Sequence, residues 1–190
     1  MNCHSEQPTQ APALNRGQYR GLTLIETMCV LAIVAVLLGG ALPMMHVLHT
    51  RQVLQASAAL LETDIQFAKS EATTGRRPVR LSVQATPAGT SCYVIHTGAA
   101  HACRCQGAGQ TQCDAGASVL RLVELGGPTG ITLAPLQRSI LFDAGKGTVT
   151  PTATLRVVDR DGQAIHQIVN IMGRVRSCTP TQGFAGLKPC

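Results

Sequence analysis

The most reactive side chains in this sequence belong to its cysteines, six of which follow position 90. They are Cys92, Cys103, Cys105, Cys113, Cys178 and Cys190. In an oxidising compartment an even number of cysteines favours disulfides, and six allow fifteen connectivities. A bond between Cys103 and Cys105 would close a small, strained ring, so each is expected to pair outside this doublet. Proximity along the chain predicts a Cys178–Cys190 bond, with the other four cysteines sharing two bonds.

Metal binding is the alternative use of these cysteines, because His96 and His101 lie near Cys103 and Cys105 in the sequence. Thiolate and imidazole groups are the ligands that zinc prefers in proteins. The segment lacks the paired Cys-x-x-Cys spacing of structural zinc sites. We therefore predict disulfide bonds at the six cysteines, no bound metal and no cofactor.

No catalytic pattern is recognisable in the chain. Four histidines that follow the apolar N-terminal run have no nucleophile or carboxylate motif around them: His46, His49, His96 and His166. Gly145-Lys146-Gly147 lacks the other residues of a phosphate-binding loop, and a hairpin turn explains it better. The sequence therefore predicts that the protein is not an enzyme.

A basic segment, Gly173-Arg174-Val175-Arg176, follows a predicted strand. Residues 162–190 contain Arg174, Arg176 and Lys188 and no acidic residue. Alternation along an extended chain places the two arginines on one face, where they could bind phosphates. The other interpretation is a solvated basic edge that discourages pairing with foreign strands. Aromatic residues make up only 3% of the chain, which disfavours stacking on single-stranded bases and favours weak, sequence-independent contacts with duplex DNA.

One carboxylate, Glu26, interrupts an otherwise uncharged apolar run from Leu22 to Leu42. A helix of that length spans roughly 31 Å, about the hydrocarbon thickness of a bilayer. A charge in such a span is costly and indicates a function. Arg16 and Arg20 precede the run, which predicts a cytoplasmic N-terminus and a periplasmic location for everything after Pro43.

The elements that would position these residues follow from the hydrophobic pattern. The apolar run continues beyond Pro43 as an amphipathic helix with one stripe: Leu54, Ala58, Leu61, Ile65, Ala68 and Ala72. The helix is expected to end at Gly75. After Pro78 the period changes to two, which predicts strands at 79–83, 92–96, 119–125, 131–133, 139–142, 147–150, 154–158 and 164–171. The predicted fold class is α+β, with an N-terminal helix over 22–75 (22–42 transmembrane, 43–75 amphipathic) and an antiparallel β head over 76–190.

The N-terminal pattern resembles a known signal. Gly21 follows basic residues and precedes Leu-Thr-Leu-Ile-Glu and the apolar run, as in the class III signal of type IV prepilins and type II secretion pseudopilins. The resemblance implies that residues 1–21 are a leader removed by prepilin peptidase, with cleavage between Gly21 and Leu22 and methylation of the Leu22 amine. It also implies that Glu26 pairs with the free amine of a neighbouring subunit during assembly.

Two further stretches of the sequence indicate which branch of the pilin family the chain resembles. The segment Asp64–Gly75 resembles the GspH/FimT branch of minor pilins and pseudopilins, and Gly173–Arg176 resembles the DNA-binding element of FimT-type minor pilins. They imply a FimT-like minor type IV pilin of the bacterial inner membrane that joins a pilus with other pilins and binds double-stranded DNA. The alternative is a GspH-like minor pseudopilin of a type II secretion system with no DNA role.

Overall fold

The computed structural model describes residues 23–86, 88–180, 184 and 186–190, with the side chains at 41–44 and 46 excepted. Two compact units divide at Pro43, and the second runs from Met44 to Cys190. Within the described residues, no helix combines the length and the apolar character needed to cross a membrane. The predicted span over 22–42 begins outside those residues and stays a prediction.

The α-helix α1 runs from Leu24 to Thr74, and Gly75 follows it as predicted. Its first turn has Thr23 before it, and the Glu26 amide N lies 3.4 Å from Thr23 Oγ1, a side-chain cap for an otherwise unpaired donor. In the second unit the predicted stripe is confirmed, because all six of its residues, from Leu54 to Ala72, are at most 3% exposed.

The described residues form twelve strands. They are β1 (Val79–Ala85), β2 (Ser91–His96), β3 (Cys103–Gly107), β4 (Gln110–Cys113), β5 (Val119–Leu125), β6 (Thr132–Pro135), β7 (Ser139–Phe142), β8 (Val149–Thr150), β9 (Ala153–Val158), β10 (Ala164–Val169), β11 (Val175–Thr179) and β12 (Lys188–Pro189). The eight predicted strands are all present, which confirms the α+β class. Four strands were missed, β3, β4, β11 and β12, because they are short and polar and lack apolar alternation.

The strands form two five-stranded sheets and a separate hairpin. The order is β5-β2-β1-β7-β8 in the first sheet and β12-β11-β10-β9-β6 in the second, and β3 and β4 form the hairpin. The predicted antiparallel head is confirmed, with one exception among the described strand pairs: β11 and β12 are parallel. Inward-facing side chains of both sheets share one core with the second-unit part of α1, so residues 44–190 contain the whole described core.

The segment Asp159-Arg-Asp-Gly162 lies between two apolar runs of the sequence, a pattern that predicts a hairpin turn. The structure confirms this turn between β9 and β10. Asp159 Oδ1 accepts hydrogen bonds from the backbone N–H groups of Asp161 (2.9 Å) and Gln163 (2.8 Å). Gly162 has a φ of 80°, a left-handed conformation that favours glycine. The turn therefore sets the register in which β9 and β10 pair.

Three disulfides connect the six head cysteines: Cys92–Cys105, Cys103–Cys113 and Cys178–Cys190. The first bond ties β3 to β2, and the second closes the β3–β4 hairpin. The third returns the C-terminal segment to β11. Of the described cysteines, Cys29 is free and exposed.

Candidate nucleic-acid interface

The turn between β10 and β11 presents Arg174. Its backbone N–H donates to the side-chain oxygen of Asn170 at 2.9 Å. The Gly173 N–H donates to the Asn170 carbonyl at 2.9 Å, and the Asn170 N–H donates to the Arg174 carbonyl at 3.1 Å. Asn170 thus fixes the turn from both sides, while the Arg174 side chain stays exposed.

A side chain of helix α1 contacts the turn between β10 and β11 and holds it in place. Lys69 Nζ donates to the Met172 carbonyl at 2.8 Å, so a charge on the helix orients the loop that carries Arg174. Gly173 has a φ of 68°, and a Cβ there would lie 3.0 Å from the Lys69 side chain and 3.2 Å from that of Val149. Glycine is therefore required for both the conformation and the close packing. Sequence reasoning missed this role of Lys69.

Arg176 lies on the outward face of the second sheet. It is opposite Ile168 on β10, whereas the neighbouring Gln167 points inward and donates to the Ala58 carbonyl of α1 at 3.0 Å. Because side chains alternate along a strand, Arg176 projects away from the helix. Its side chain is exposed.

Lys188 reaches the same face through the C-terminal disulfide. The Cys178–Cys190 bond holds β12 beside β11, and Lys188 lies opposite Cys178 in parallel register. Cys178 is two residues from Arg176 and shares its face. Two cations distant from each other in sequence are therefore brought to adjacent strands.

Arg156 on β9 also belongs to this face, and sequence reasoning missed it. It lies opposite His166, which lies opposite Cys178 on β11. Burial lowers the pKa of the His166 imidazole, and the nearby positive charge of Arg156 lowers it further. The imidazole is therefore neutral near pH 7. We name the set Arg156, Arg174, Arg176 and Lys188 the basic face. Strands β9 to β12 contain no acidic residue, so its charge is not neutralised within the sheet.

The processing residues Gly21 and Leu22 and the leader 1–21 lie outside the described residues. Glu26 is exposed at the start of α1. Its pairing with a neighbouring subunit stays a prediction.

The structure does not bring together the metal ligands that the alternative reading required. Cys103 and Cys105 are in separate disulfides, and the Nε2 atom of His96 lies 2.9 Å from Ser82 Oγ. In the described part of the chain, one other group has three potential metal ligands close together: His166, Cys178 and Cys190. Both sulfurs of that group form a disulfide, which removes the thiolates a metal would need.

A buried charged cluster joins α1 to the first sheet and was not predicted. Asp64, which is fully buried, forms an ion pair with Arg121 of β5 and accepts a hydrogen bond from the Tyr93 hydroxyl at 2.8 Å. The Arg121 guanidinium also lies 5.5 Å from the centre of the Phe67 ring. Burial, reinforced by the hydrogen bond to Asp64, raises the pKa of Tyr93 well above its usual range. The tyrosine is therefore a neutral donor.

Comparisons with models of known protein families identify the class of protein to which this chain belongs. Residues 16–42 match the prokaryotic N-terminal methylation motif, as predicted from the residues around Gly21. Residues 57–173 match the family described as type II transport protein GspH. The chain therefore belongs to the GspH family, whose members are minor pilins and pseudopilins. No curated protein matches the chain.

Two solved structures are similar to the chain. Both are crystal structures of the type IV minor pilin FimU of Pseudomonas aeruginosa PAO1. The first is 21% identical with a TM-score of 0.49 and covers 66% of this chain and 88% of the FimU chain. The second is 20% identical with a TM-score of 0.46 and covers 65% and 90%.

Proposed function

We propose that this chain is a FimT-like minor type IV pilin that binds duplex DNA through its basic face. Arg174, Arg176 and Lys188 are exposed there, and the strands that carry them have no acidic residue. Guanidinium and ammonium groups bind backbone phosphates without reading the base sequence. This uncompensated positive face is the observation that carries the proposal.

Membrane anchoring and assembly belong to the same proposal. Large apolar side chains from Leu24 to Leu38 are 42–77% exposed in the isolated chain, and lipid or neighbouring pilin helices would cover them. We place the protein in the bacterial inner membrane with a cytoplasmic N-terminus and a periplasmic head, and later in the filament. Its partners are prepilin peptidase and other pilins, and Glu26 would pair with a neighbour's N-terminal amine.

A second function, a GspH-like minor pseudopilin of a type II secretion system, has one observation in its favour. The match to the GspH family ends at residue 173, just before Arg174 and Arg176. Family membership therefore lends no support to DNA binding, and the basic face would then be a solvated edge.

Processing is tested by mass. Co-expression with prepilin peptidase is expected to yield a chain that lacks residues 1–21 and carries one extra methyl group on Leu22. Glu26→Ala should be processed normally yet fail to enter filaments, because the buried amine of the neighbour loses its partner. Intact-mass analysis and immunoblots of sheared filaments measure the two outcomes. A different mature N-terminus, or normal incorporation of the variant, would contradict the assignment.

DNA binding is tested by its salt dependence. Residues 44–190, the β head together with the part of α1 that shares its core and called the head from here on, should bind duplex DNA of any sequence. The log–log salt slope should be about −0.9 for each phosphate neutralised. The double substitution Arg174→Gln with Arg176→Gln should flatten the slope by about two and abolish DNA uptake, because Gln keeps polarity but loses charge. Fluorescence anisotropy from 20 to 200 mM salt measures the slope. Three phosphate contacts give a slope of about −2.7, which is a loss of affinity of about 500-fold over this tenfold interval.

The control for general charge is Arg160→Gln. Arg160 is exposed in the β9–β10 turn, at the opposite end of β10 from Arg174. Arg121, an obvious alternative from the sequence, is unsuitable because it is ion-paired with buried Asp64. If the double variant binds as the parent does, or the parent does not bind at low salt, the secretion pseudopilin becomes the better assignment.

A further inference from the structure

A second basic site lies on the outer surface of the first sheet, apart from the basic face. A cavity of about 540 Å³ opens between β1, the segment that leads into β3, and the β6–β7 connection. Arg104, Arg138 and His101 line it together with the hydroxyl groups of Ser82 and Ser139. None of the described residues that line this cavity is acidic.

Arg104 is held in place by its neighbours. The Gln84 side-chain amide donates to the Cys103 carbonyl at 2.7 Å and accepts from the Cys105 N–H at 3.1 Å. The two contacts are made to the backbone groups of the residues immediately before and after Arg104. Both flanking cysteines are in disulfides, to Cys113 and Cys92. The short strand β3 therefore presents Arg104 from a backbone fixed at four points.

Arg138 is fixed from the other side of the cavity. Its carbonyl accepts a hydrogen bond from the Val83 N–H at 2.8 Å, next to the Gln84 that holds β3. Both arginines are thus anchored to adjacent residues of β1. In the described part of the chain neither guanidinium has a hydrogen bond or an ion pair, and both side chains are exposed.

The floor of the cavity is polar and preorganised. Ser82 Oγ lies 3.3 Å from Ser139 Oγ and 2.9 Å from His96 Nε2. His96 Nδ1 lies 3.0 Å from the Thr97 carbonyl, which can only accept, so Nδ1 is the donor. The Ser82 hydroxyl also lies 3.2 Å from the Ala100 carbonyl, to which it can donate. Arg80 Nη1 donates to Ser139 Oγ at 3.4 Å, and adds a third positive charge behind the floor.

We propose that this cavity binds an oxyanion, a carboxylate or phosphate group of a small ligand, between Arg104 and Arg138. Guanidinium groups bind such groups through two parallel N–H donors. Because the backbone is already fixed at both arginines, only their side chains lose freedom on binding, which limits the entropy cost. The disulfides around β3 then have a second role, since they hold Arg104 in position.

The test uses the full chain in neutral detergent with ¹⁵N-labelled arginine. Citrate and inorganic phosphate are titrated separately at constant ionic strength, with chloride as the reference. We expect saturable changes of the Arg104 and Arg138 Nε–Hε signals, and the stronger of the two ligands identifies the carboxylate or the phosphate source. Linear, non-saturating changes equal to those in chloride would overturn the proposal.

Substitutions distinguish specific binding at Arg104 and Arg138 from non-specific attraction of anions to the positive charge of the protein. Because these variants lack the Arg104 and Arg138 signals, isothermal titration calorimetry at the same ionic strength compares them with the parent. Arg104→Gln with Arg138→Gln should weaken binding at least tenfold, and Arg104→Lys with Arg138→Lys should also weaken it severalfold, because an ammonium lacks the planar fork. Arg160→Gln should bind as the parent does. Circular dichroism of each variant checks that the fold is retained. Equal binding by the glutamine variant and the parent would refute the site, whatever the outcome of the DNA experiments.

Discussion

Arg121→Gln is expected to lower the free energy of unfolding of the head by about 3–5 kcal/mol, the usual cost of removing one partner of a buried ion pair. Asp64 is fully buried, and its described partners are Arg121 and the Tyr93 hydroxyl. Without Arg121 the carboxylate would keep one neutral donor and no compensating charge. Because the Arg121 side chain is 44% exposed, water can reach the site and the loss should fall in the lower half of that range.

Urea denaturation of residues 44–190 measures this loss, with Arg160→Gln as the matched control. The control removes the same charge from an exposed turn, where Arg160 donates one hydrogen bond to the Gly127 carbonyl at 2.6 Å. Its loss should lower the free energy of unfolding by only about 0.5–1.5 kcal/mol. Tyr93→Phe should cost about 1–3 kcal/mol, because it leaves the carboxylate charge paired but removes one hydrogen bond. An Arg121→Gln variant as stable as the control would contradict the role of the cluster in holding α1 to the first sheet.

Reduction of the three disulfides is expected to bring the head close to unfolding at room temperature. The bonds close loops with sequence separations of 13, 10 and 12 residues, and chain entropy gives about 3 kcal/mol for each. Their sum is comparable to the whole stability of a typical domain. Because the loops of the first two bonds overlap, the true total is smaller than the sum.

Paired alanine substitutions assign the loss to individual bonds. Cys178→Ala with Cys190→Ala should lower the free energy of unfolding by about 3 kcal/mol and release Lys188 from the basic face, which weakens DNA binding as well. Cys103→Ala with Cys113→Ala should cost at least as much, because Cys103 is fully buried. Urea transitions with and without reductant provide the measurement. Coincident transitions would show that the bonds do not stabilise the head.

The local patterns of the sequence determined much of this protein. The stripe from Leu54 to Ala72 predicted both the helix and its buried face, because a period near 3.6 has one consistent buried side. Asp159 and Gly162 predicted the β9–β10 turn, since the hydrogen bonds involved lie within four residues. The residues around Gly21 predicted the methylation motif and the wider family. Each of these inferences depends on neighbours along the chain.

Only the tertiary structure decided which distant residues meet. Cys92 could have paired with any of several cysteines. The register of the β3–β4 hairpin places Cys103 opposite Cys113, which leaves Cys105 as the partner of Cys92. From the sequence alone, Asp64 is expected to be a solvent-exposed helix residue. In the folded head, β2 places Tyr93 and β5 places Arg121 beside its carboxylate. Arg156 joins Arg176 and Lys188 only because β9, β10, β11 and β12 align in one sheet. Such contacts arise from the packing of the whole head, where a shift of one residue in register would turn every side chain to the opposite face.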